Sequence, residues 1–238
     1  MTQAWVDLLF AHWPVDKDQL RSIVPPSLEI DTFDGAAWIG IVPFGMENVH
    51  WRIMPPVPLL SKFLELNVRT YVRYKGRSGI FFFSLDCANR VAVEVARTFF
   101  RLPYYNARMS KQLIDGRETT ARTNRTIIYR SERIDKRGGD CLLDCDYRVV
   151  GEPFRSSPGS IEEWLTERYC FFTPNRSGQI VVGEVHHKPW PLQIAEAEFR
   201  TNSLAKVLGV QLPQTASLLH YSAELETLEF AVKIFAGA

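Results

Sequence analysis

A chain of 238 residues is long enough for one sizeable core, and β-rich single domains reach this length without splitting, so one domain spanning residues 1–238 is expected. Its 28 Lys and Arg against 27 Asp and Glu leave a net charge of +1, which supplies no global field for holding nucleic acid or an anionic membrane. No apolar run approaches the roughly 18 to 20 residues of a membrane span, and no basic stretch precedes a long apolar one near Met1, so a cytoplasmic location is expected.

Trp5 to Trp13 is apolar and β-prone, and Asp16 then caps a short helix with Leu20, Ile23 and Val24 facing inward until Pro25-Pro26 stop it. Leu28 to Thr32, a turn at Asp34-Gly35 and a long β-prone run from Ala36 to His50 together predict a hairpin. Pro43 and Gly45 place the second run at an edge or give it a bulge. Met54-Pro55-Pro56-Val57-Pro58 cannot join a ladder and reads as a connection.

From Leu64 to Lys75 the alternation is sharp. Leu66, Val68, Thr70 and Val72 point one way, and Glu65, Asn67, Arg69, Tyr71 and Arg73 the other. A turn at Lys75 to Gly79 leads into Ile80 to Leu85, whose aromatic residues on both faces predict burial on both sides. Ala88, Val91, Ala92, Val95, Phe99 and Leu102 then fall at helical spacing, ended by Pro103, before Tyr104 to Met109 returns to extended chain.

Runs from Glu118 to Arg130 and from Cys141 to Val150 predict a hairpin around Lys136 to Asp140. Ser160 and Glu163 form a capping box for a helix carrying Trp164 and Leu165. Tyr169 to Thr173 and Gln179 to His187 follow as strands, then a short helix from Ser203 to Leu208 ending at Gly209, then strands over Ser217 to Glu224 and Thr227 to Ile234. Many antiparallel strands with few helices and no βαβ rhythm argue for a mainly β fold, a closed or nearly closed antiparallel barrel.

Cys87, Cys141, Cys145 and Cys170 include no C-x-x-C pair, so reduced, buried thiols are expected. Cys141 and Cys145 on one strand face would stand about 13 Å apart, too far to share a metal, and neither a metal nor a cofactor is expected. Glycine-rich nucleotide loops, H-E-x-x-H and G-x-S-x-G are all missing from the sequence.

The segment from Asp18 to Asp31, a short helix followed by Pro25-Pro26 and Leu28-Glu29-Ile30-Asp31, resembles the signature near the start of acetoacetate decarboxylase-like proteins. Together with Phe10-Ala11-His12-Trp13, Glu65 to Tyr71, Phe82 to Asp86, Trp164 to Tyr169, Pro189 to Gln193 and Leu219 to Ser222, it resembles the YqjF-like family, domain of unknown function 2071, of the same superfamily. The resemblance runs from about Trp5 to about Phe230. It implies a cone-shaped antiparallel β-barrel with outer helices, an internal small-molecule cavity and a homo-oligomeric state.

In the decarboxylases so resembled, the helix carries a G-R-E motif and ends at an aromatic-Pro-Lys-Lys turn, whose first lysine forms a Schiff base. Here Ala96-Arg97-Thr98 and Leu102-Pro103-Tyr104-Tyr105 stand instead. A tyrosine forms no iminium, so Schiff-base decarboxylation is disfavoured. Lys111 and Lys188 are the alternative lysines, and neither has a paired cation in sequence.

The remaining chemistry is non-covalent. Glu65, Asn67, Arg69 and Tyr71 form a polar strand face that either lines the cavity, with Arg69 reading a carboxylate, or is solvated. One of Tyr104 and Tyr105 is expected to project into the cavity as a hydrogen-bond donor, and Arg97 either contacts ligand or pins loop carbonyls. His186 and His187 point to opposite faces, so at most one of the pair reaches the interior. His12 and His220 each adjoin an aromatic and are weaker candidates.

The basic excess between Arg97 and Arg137 is spread over several elements and makes no nucleic-acid motif. Three functions follow. The first is a protein binding a small organic acid or ketone, with Arg69, Glu65, Tyr104, Tyr105 and His187 as contacts. The second is a lyase, hydratase or isomerase with Tyr105 as acid and Glu65 or His187 as base. The third is an interaction protein with a filled barrel.

Overall fold

The sharpest alternation in the sequence becomes a strand buried on both faces, and a double-walled sheet is built around it. A computed structural model describes residues 1–50, 61–115 and 125–235, so Met54 to Pro58 and the start of the Glu118 to Arg130 run lie outside the described residues. The strands are β1 (Thr2–Val15), β2 (Glu29–Ile30), β3 (Ala37–His50), β4 (Phe63–Tyr74), β5 (Arg77–Cys87), β6 (Tyr104–Asp115), β7 (Arg125–Arg133), β8 (Leu142–Val149), β9 (Cys170–Pro174), β10 (Ile180–His187), β11 (Gln193–Asn202), β12 (Leu218–Glu229) and β13 (Lys233–Ile234). The helices are α1 (Lys17–Arg21), α2 (Arg90–Val95) and α3 (Ile161–Thr166), with a π-helical turn at Ala96–Phe100 and a 3₁₀ turn at Lys206–Leu208.

The strands close two circuits. One runs β5, β9, β10, β12, β1, β3, β4 and back to β5. The other leaves β5 through β6, β7, β8 and β11 to β12, and returns by the same β1, β3 and β4. Strands β12, β1, β3, β4 and β5 are therefore a wall common to both rings. Side chains alternate across a strand, so this wall faces two interiors. Leu9, Ala11, Trp13, Ile39, Ile41, Leu66 and Val68 pack into the larger core, and Leu8, Phe10, Val42 and Phe44 into the smaller.

Three expectations are corrected. Leu28 to Thr32 makes no hairpin with the next run, because only Phe33 and Ala36 pair at the turn and β2 lies against Arg73 and Val72 of β4. Residue pairs with β4 are worth more there than a short ladder with β3, whose partners β1 and β4 already fill both its edges. The two last strands are one long strand, β12, followed by the two-residue β13. The sheet is not wholly antiparallel, since β5 pairs in parallel with β6 and β9. The α2 and π-turn segment supplies the crossover that a parallel β5–β6 pair requires.

That segment also buries a different face from the one its spacing predicts. Asn89 caps it by accepting from the amides of Val91 and Ala92. Val93, Phe100 and Leu102 are buried, while Val91 and Phe99 stand in solvent. The wider π turn carries one more residue per turn, so a 3.6-residue period cannot be continued through it.

Pro43 lies where the β1–β3 ladder is irregular, between the pairs Val6↔Gly45 and Ala11↔Ile41. The extra residue is in β1, where four residues stand against three of β3 and Asp7 takes φ 50, so Pro43 lies in an interior strand opposite a bulge of its neighbour, where a proline without an N–H is tolerated. The β4–β5 hairpin turns through Lys75 and Gly76, both at positive φ, as a two-residue turn between right-twisted strands demands.

Gly79 of this hairpin is packed so closely that a Cβ would stand 2.9 Å from the Cys170 carbonyl oxygen and 2.7 Å from the Phe172 ring. Gly79→Ala is expected to destabilise the protein by about 1–3 kcal/mol, read as a lower urea midpoint at unchanged slope. A midpoint equal to wild type would show that β9 yields.

Candidate functional site

On β4 the residues that alternate away from the larger core are Glu65, Asn67 and Arg69, and all three are nearly buried, with 3%, 6% and 6% exposure. They line a cavity of about 60 Å³ inside the smaller ring. That is room for about two waters, or for a ligand of a few heavy atoms. Leu8, Phe10, Val42 and Phe44 form its apolar wall. A bulge in β5, between the pairs Val68↔Ser84 and Arg69↔Phe82, resets the alternation so that both Phe82 and Leu85 reach the same cavity.

One end of the cavity is cationic. Arg69 has no carboxylate within ion-pair distance among the described residues. Its Nη2 donates to the Leu165 carbonyl at 3.3 Å and to the Tyr71 hydroxyl at 3.4 Å, and its guanidinium lies 5.2 Å over the Phe10 ring. Arg168, which sequence reasoning did not single out, lines the same space. It donates to Asp31 at 2.9 Å and to the Trp164 carbonyl at 2.6 Å. Asp31 is shared with Arg73 at 3.0 Å, so one carboxylate serves two guanidiniums and Arg69 has none.

Tyr71 does not line the cavity. It stands behind Arg69 with its hydroxyl 2.7 Å from His12 Nε2. Burial, then the Arg69 and His220 charges, hold His12 well below the usual histidine range, so it is a neutral partner.

The opposite end carries two carboxyl groups, Glu65 and Glu229, both raised by burial. The Tyr104 hydroxyl donates to Glu65 Oε2 at 3.0 Å. Burial pushes the Glu65 carboxyl up to about 8 against the lowering effect of that bond, and the neighbouring Glu229 adds to the rise. Glu229 also lines the cavity, accepts from Gln3 Nε2 at 2.8 Å and is likewise raised by burial. Between the two ends, Trp5 and Trp190 stack with ring centres 5.7 Å apart.

Six polar atoms of cavity-lining residues are buried without a partner: Trp5 Nε1, Trp190 Nε1, Arg69 Nε, Arg168 Nη2, Gln3 Oε1 and Asn67 Oδ1. Four of them are N–H donors. Native proteins leave few such groups unpaired, and whatever occupies the cavity, water included, meets more donors than acceptors among them.

The other candidates separate. His187 lines the cavity, stacked on Tyr169 at 4.6 Å, with Nδ1 bonded to the Lys188 carbonyl at 2.8 Å. His186 is exposed and packs on Phe230. Tyr104 turns inward and Tyr105 outward, as adjacent strand residues must, and Tyr105 lies 4.3 Å under the Arg133 guanidinium. Arg97 is also outside the cavity and donates to the Tyr104 carbonyl at 2.7 Å. Lys111 pairs with Asp7 at 2.5 Å on the side of the larger ring, and Lys188 is exposed.

Arg168, Trp5, Trp190, Gln3 and Glu229 had no distinguishing signal beyond the recurring segments around Trp164 and Pro189. The four cysteines are free and buried. Among the described residues no three His, Cys, Asp or Glu side chains gather as a metal site. No helix among them is long and apolar enough to cross a membrane.

Residues 2–226 match DUF2071, a family of uncharacterized conserved proteins. The chain belongs to this family. A DUF2071 relative, the uncharacterized protein YqjF of Bacillus subtilis (strain 168), is 43% identical over 228 residues, covering 96% of this chain and 89% of its own. Two solved structures share the fold. The enduracididine biosynthesis enzyme MppR complexed with pyruvate superposes with a TM-score of 0.63 at 12% identity, over 98% of this chain and 89% of its own. An acetoacetate decarboxylase-like enzyme from Sphingomonas wittichii RW1 gives 0.63 at 11%, over 98% and 94%. This DUF2071 chain therefore has the acetoacetate decarboxylase-like fold, mostly strand, with an uneven double ring in place of a regular barrel.

Proposed function

We propose that the cavity binds a small carboxylate-bearing molecule, an organic acid or keto acid, without forming a covalent bond to it. The observation that carries this reading is the donor set at the cationic end: four buried N–H groups of cavity-lining residues without acceptors, two of them on guanidiniums, with Asp31 outside the lining shared between Arg168 and Arg73 and the lining carboxyls Glu65 and Glu229 at the other end. A carboxylate satisfies such donors two at a time, through charge-assisted bonds. The neutral Glu65 and Tyr104 at the other end suit a carbonyl or hydroxyl oxygen. The pyruvate complex of MppR, on the same fold, supports the choice of ligand class. No lysine is among the residues that line the cavity, which favours non-covalent binding over a Schiff base.

A second reading is an acid–base enzyme of the lyase, hydratase or isomerase type. It rests on the Glu65–Tyr104 pair, since a carboxyl held up to about 8 is a proton donor at neutral pH. One screen tests both. Acetate, pyruvate, lactate, acetoacetate and acetone are compared by thermal shift, and hits are treated with borohydride and followed in D₂O. Raised melting points with acids, no shift with acetone and no trapped mass are expected. A borohydride adduct on a lysine, or no shift with any acid, would overturn the binding reading, and deuterium entering a bound acid would establish the second.

A further inference from the structure

Arg97 and Tyr105, which lie outside the cavity, come together again in a groove on the outer side of the same wall. The groove has a volume of about 620 Å³ and is open to solvent. This is the size range of small-molecule sites. It backs onto the inner cavity, because Phe82 and Leu102 line both.

Its charge is one-sided. Arg97, Arg101 and Arg176 line it, and no Asp or Glu is among its lining residues. None of the three arginines is ion-paired among the described residues, and Glu94, whose charge Arg97 feels, is held in a fork by Arg137 at 2.7 and 3.3 Å. Arg101 sits in the left-handed region at φ 56 and ψ 30, where a residue with a side chain is uncommon. Its carbonyl accepts from Thr173 Oγ1 at 3.2 Å, so β9 holds the backbone in that conformation. The floor is aromatic, with Phe83 and Tyr105 half-buried along it.

We propose that this groove is a second ligand site, distinct from the inner cavity, for a planar aromatic molecule carrying a dianionic phosphate, of the kind a nucleoside monophosphate presents. Guanidiniums bind phosphate through paired N–H groups and also stack on flat rings, and a ring laid along Phe83, beside the Tyr105 ring that Arg97 and Arg133 already cover at 5.6 and 4.3 Å, leaves its phosphate near the groove arginines. A chain of phosphates is not the fit. The arginines surround one pocket of single-ligand size and the net charge of +1 gives no longer track.

Calorimetry at low salt, with adenosine 5′-monophosphate, adenosine and inorganic phosphate as probes, tests the proposal. The monophosphate is expected to bind about tenfold tighter than either half, and the double variant Arg101→Ala/Arg176→Ala, altering two exposed side chains, to weaken it about tenfold. Arg69→Met, in the inner cavity, is expected to leave this binding unchanged. No binding at millimolar monophosphate, or equal binding by the double variant, would overturn the site. Loss of binding in Arg69→Met would move it to the inner cavity, and an oligothymidylate binding far tighter than the monophosphate would make the groove a nucleic-acid track instead.

Discussion

Glu65→Gln is expected to remove the Glu65 share of the loss of stability that accompanies rising pH between about pH 4.5 and 8, leaving a measurably shallower decline. In the folded protein the Glu65 carboxyl titrates at about 8, against an ordinary value of 4.5. Between those values the native state holds a proton that the unfolded chain has released. Stability therefore falls as pH rises through this window, and the full difference is on the order of 5 kcal/mol. Glutamine keeps an acceptor for the Tyr104 hydroxyl and never ionises.

Asp86, raised to about 6 by burial against its bond to Arg133, and Glu229, also raised, act in the same direction, whereas His12 and His220, both lowered by burial, act in the opposite direction as pH falls below about 6.5, so these groups set the residual slope in the variant. Glu94, Glu184 and Asp135 are lowered by arginine partners, and the stability they contribute is lost only as pH falls through their folded values, on the acid side of the window. Urea midpoints at half-unit intervals from pH 4.5 to 8.5 read the difference. A variant with the wild-type slope would mean that Glu65 ionises freely in the folded state.

Arg69→Met is expected to abolish carboxylate binding, by about 100-fold or more, while leaving stability equal to wild type or higher. Losing one partner of a buried charge-assisted pair costs roughly 2–5 kcal/mol of binding. In the unliganded protein, however, Arg69 is a buried cation with two long hydrogen bonds and no ion pair among the described residues, and replacing such a charge by an apolar side chain of similar volume is often neutral or stabilising. Denaturation and ligand-induced thermal shift on one sample separate the two effects. A loss of stability above about 2 kcal/mol would make Arg69 a structural residue, and an unchanged acid-induced shift would place the ligand elsewhere.

Much of this arrangement was legible in the residues. The period-2 pattern of β4 put Glu65, Asn67 and Arg69 on one face, because alternation is a local property, but whether that face met a cavity or solvent, and that Tyr71 would fall outside the lining, depended on the packing around it. Asp16 and Ser160 announced their helices through side-chain bonds made within three residues. What stayed hidden was decided at long range. That Tyr104 rather than Tyr105 turns inward depends on where β6 starts against Leu85 and Asp86 of β5. Arg168 owes its place to Asp31, 137 residues away. The π turn that carries Arg97, which lies outside the inner cavity, leaves no mark in the spacing of apolar residues.

The wall common to both rings has a consequence for how the chain reaches this state. Strand β1 completes that wall only by pairing with β12, where Thr2 meets Leu228. Neither ring can close until β1 finds a strand more than 200 residues further along the chain. Loop closure over such a span comes late and contacts of this separation slow folding. Before that pairing forms, β1, with Leu8, Leu9, Phe10, Ala11 and Trp13, has β3 along one edge and no partner along the other. The β6–β7–β8 meander needs only neighbours in sequence and can assemble beforehand. Closure of the double ring is then a single late event, and both interiors, the cavity included, come into existence together.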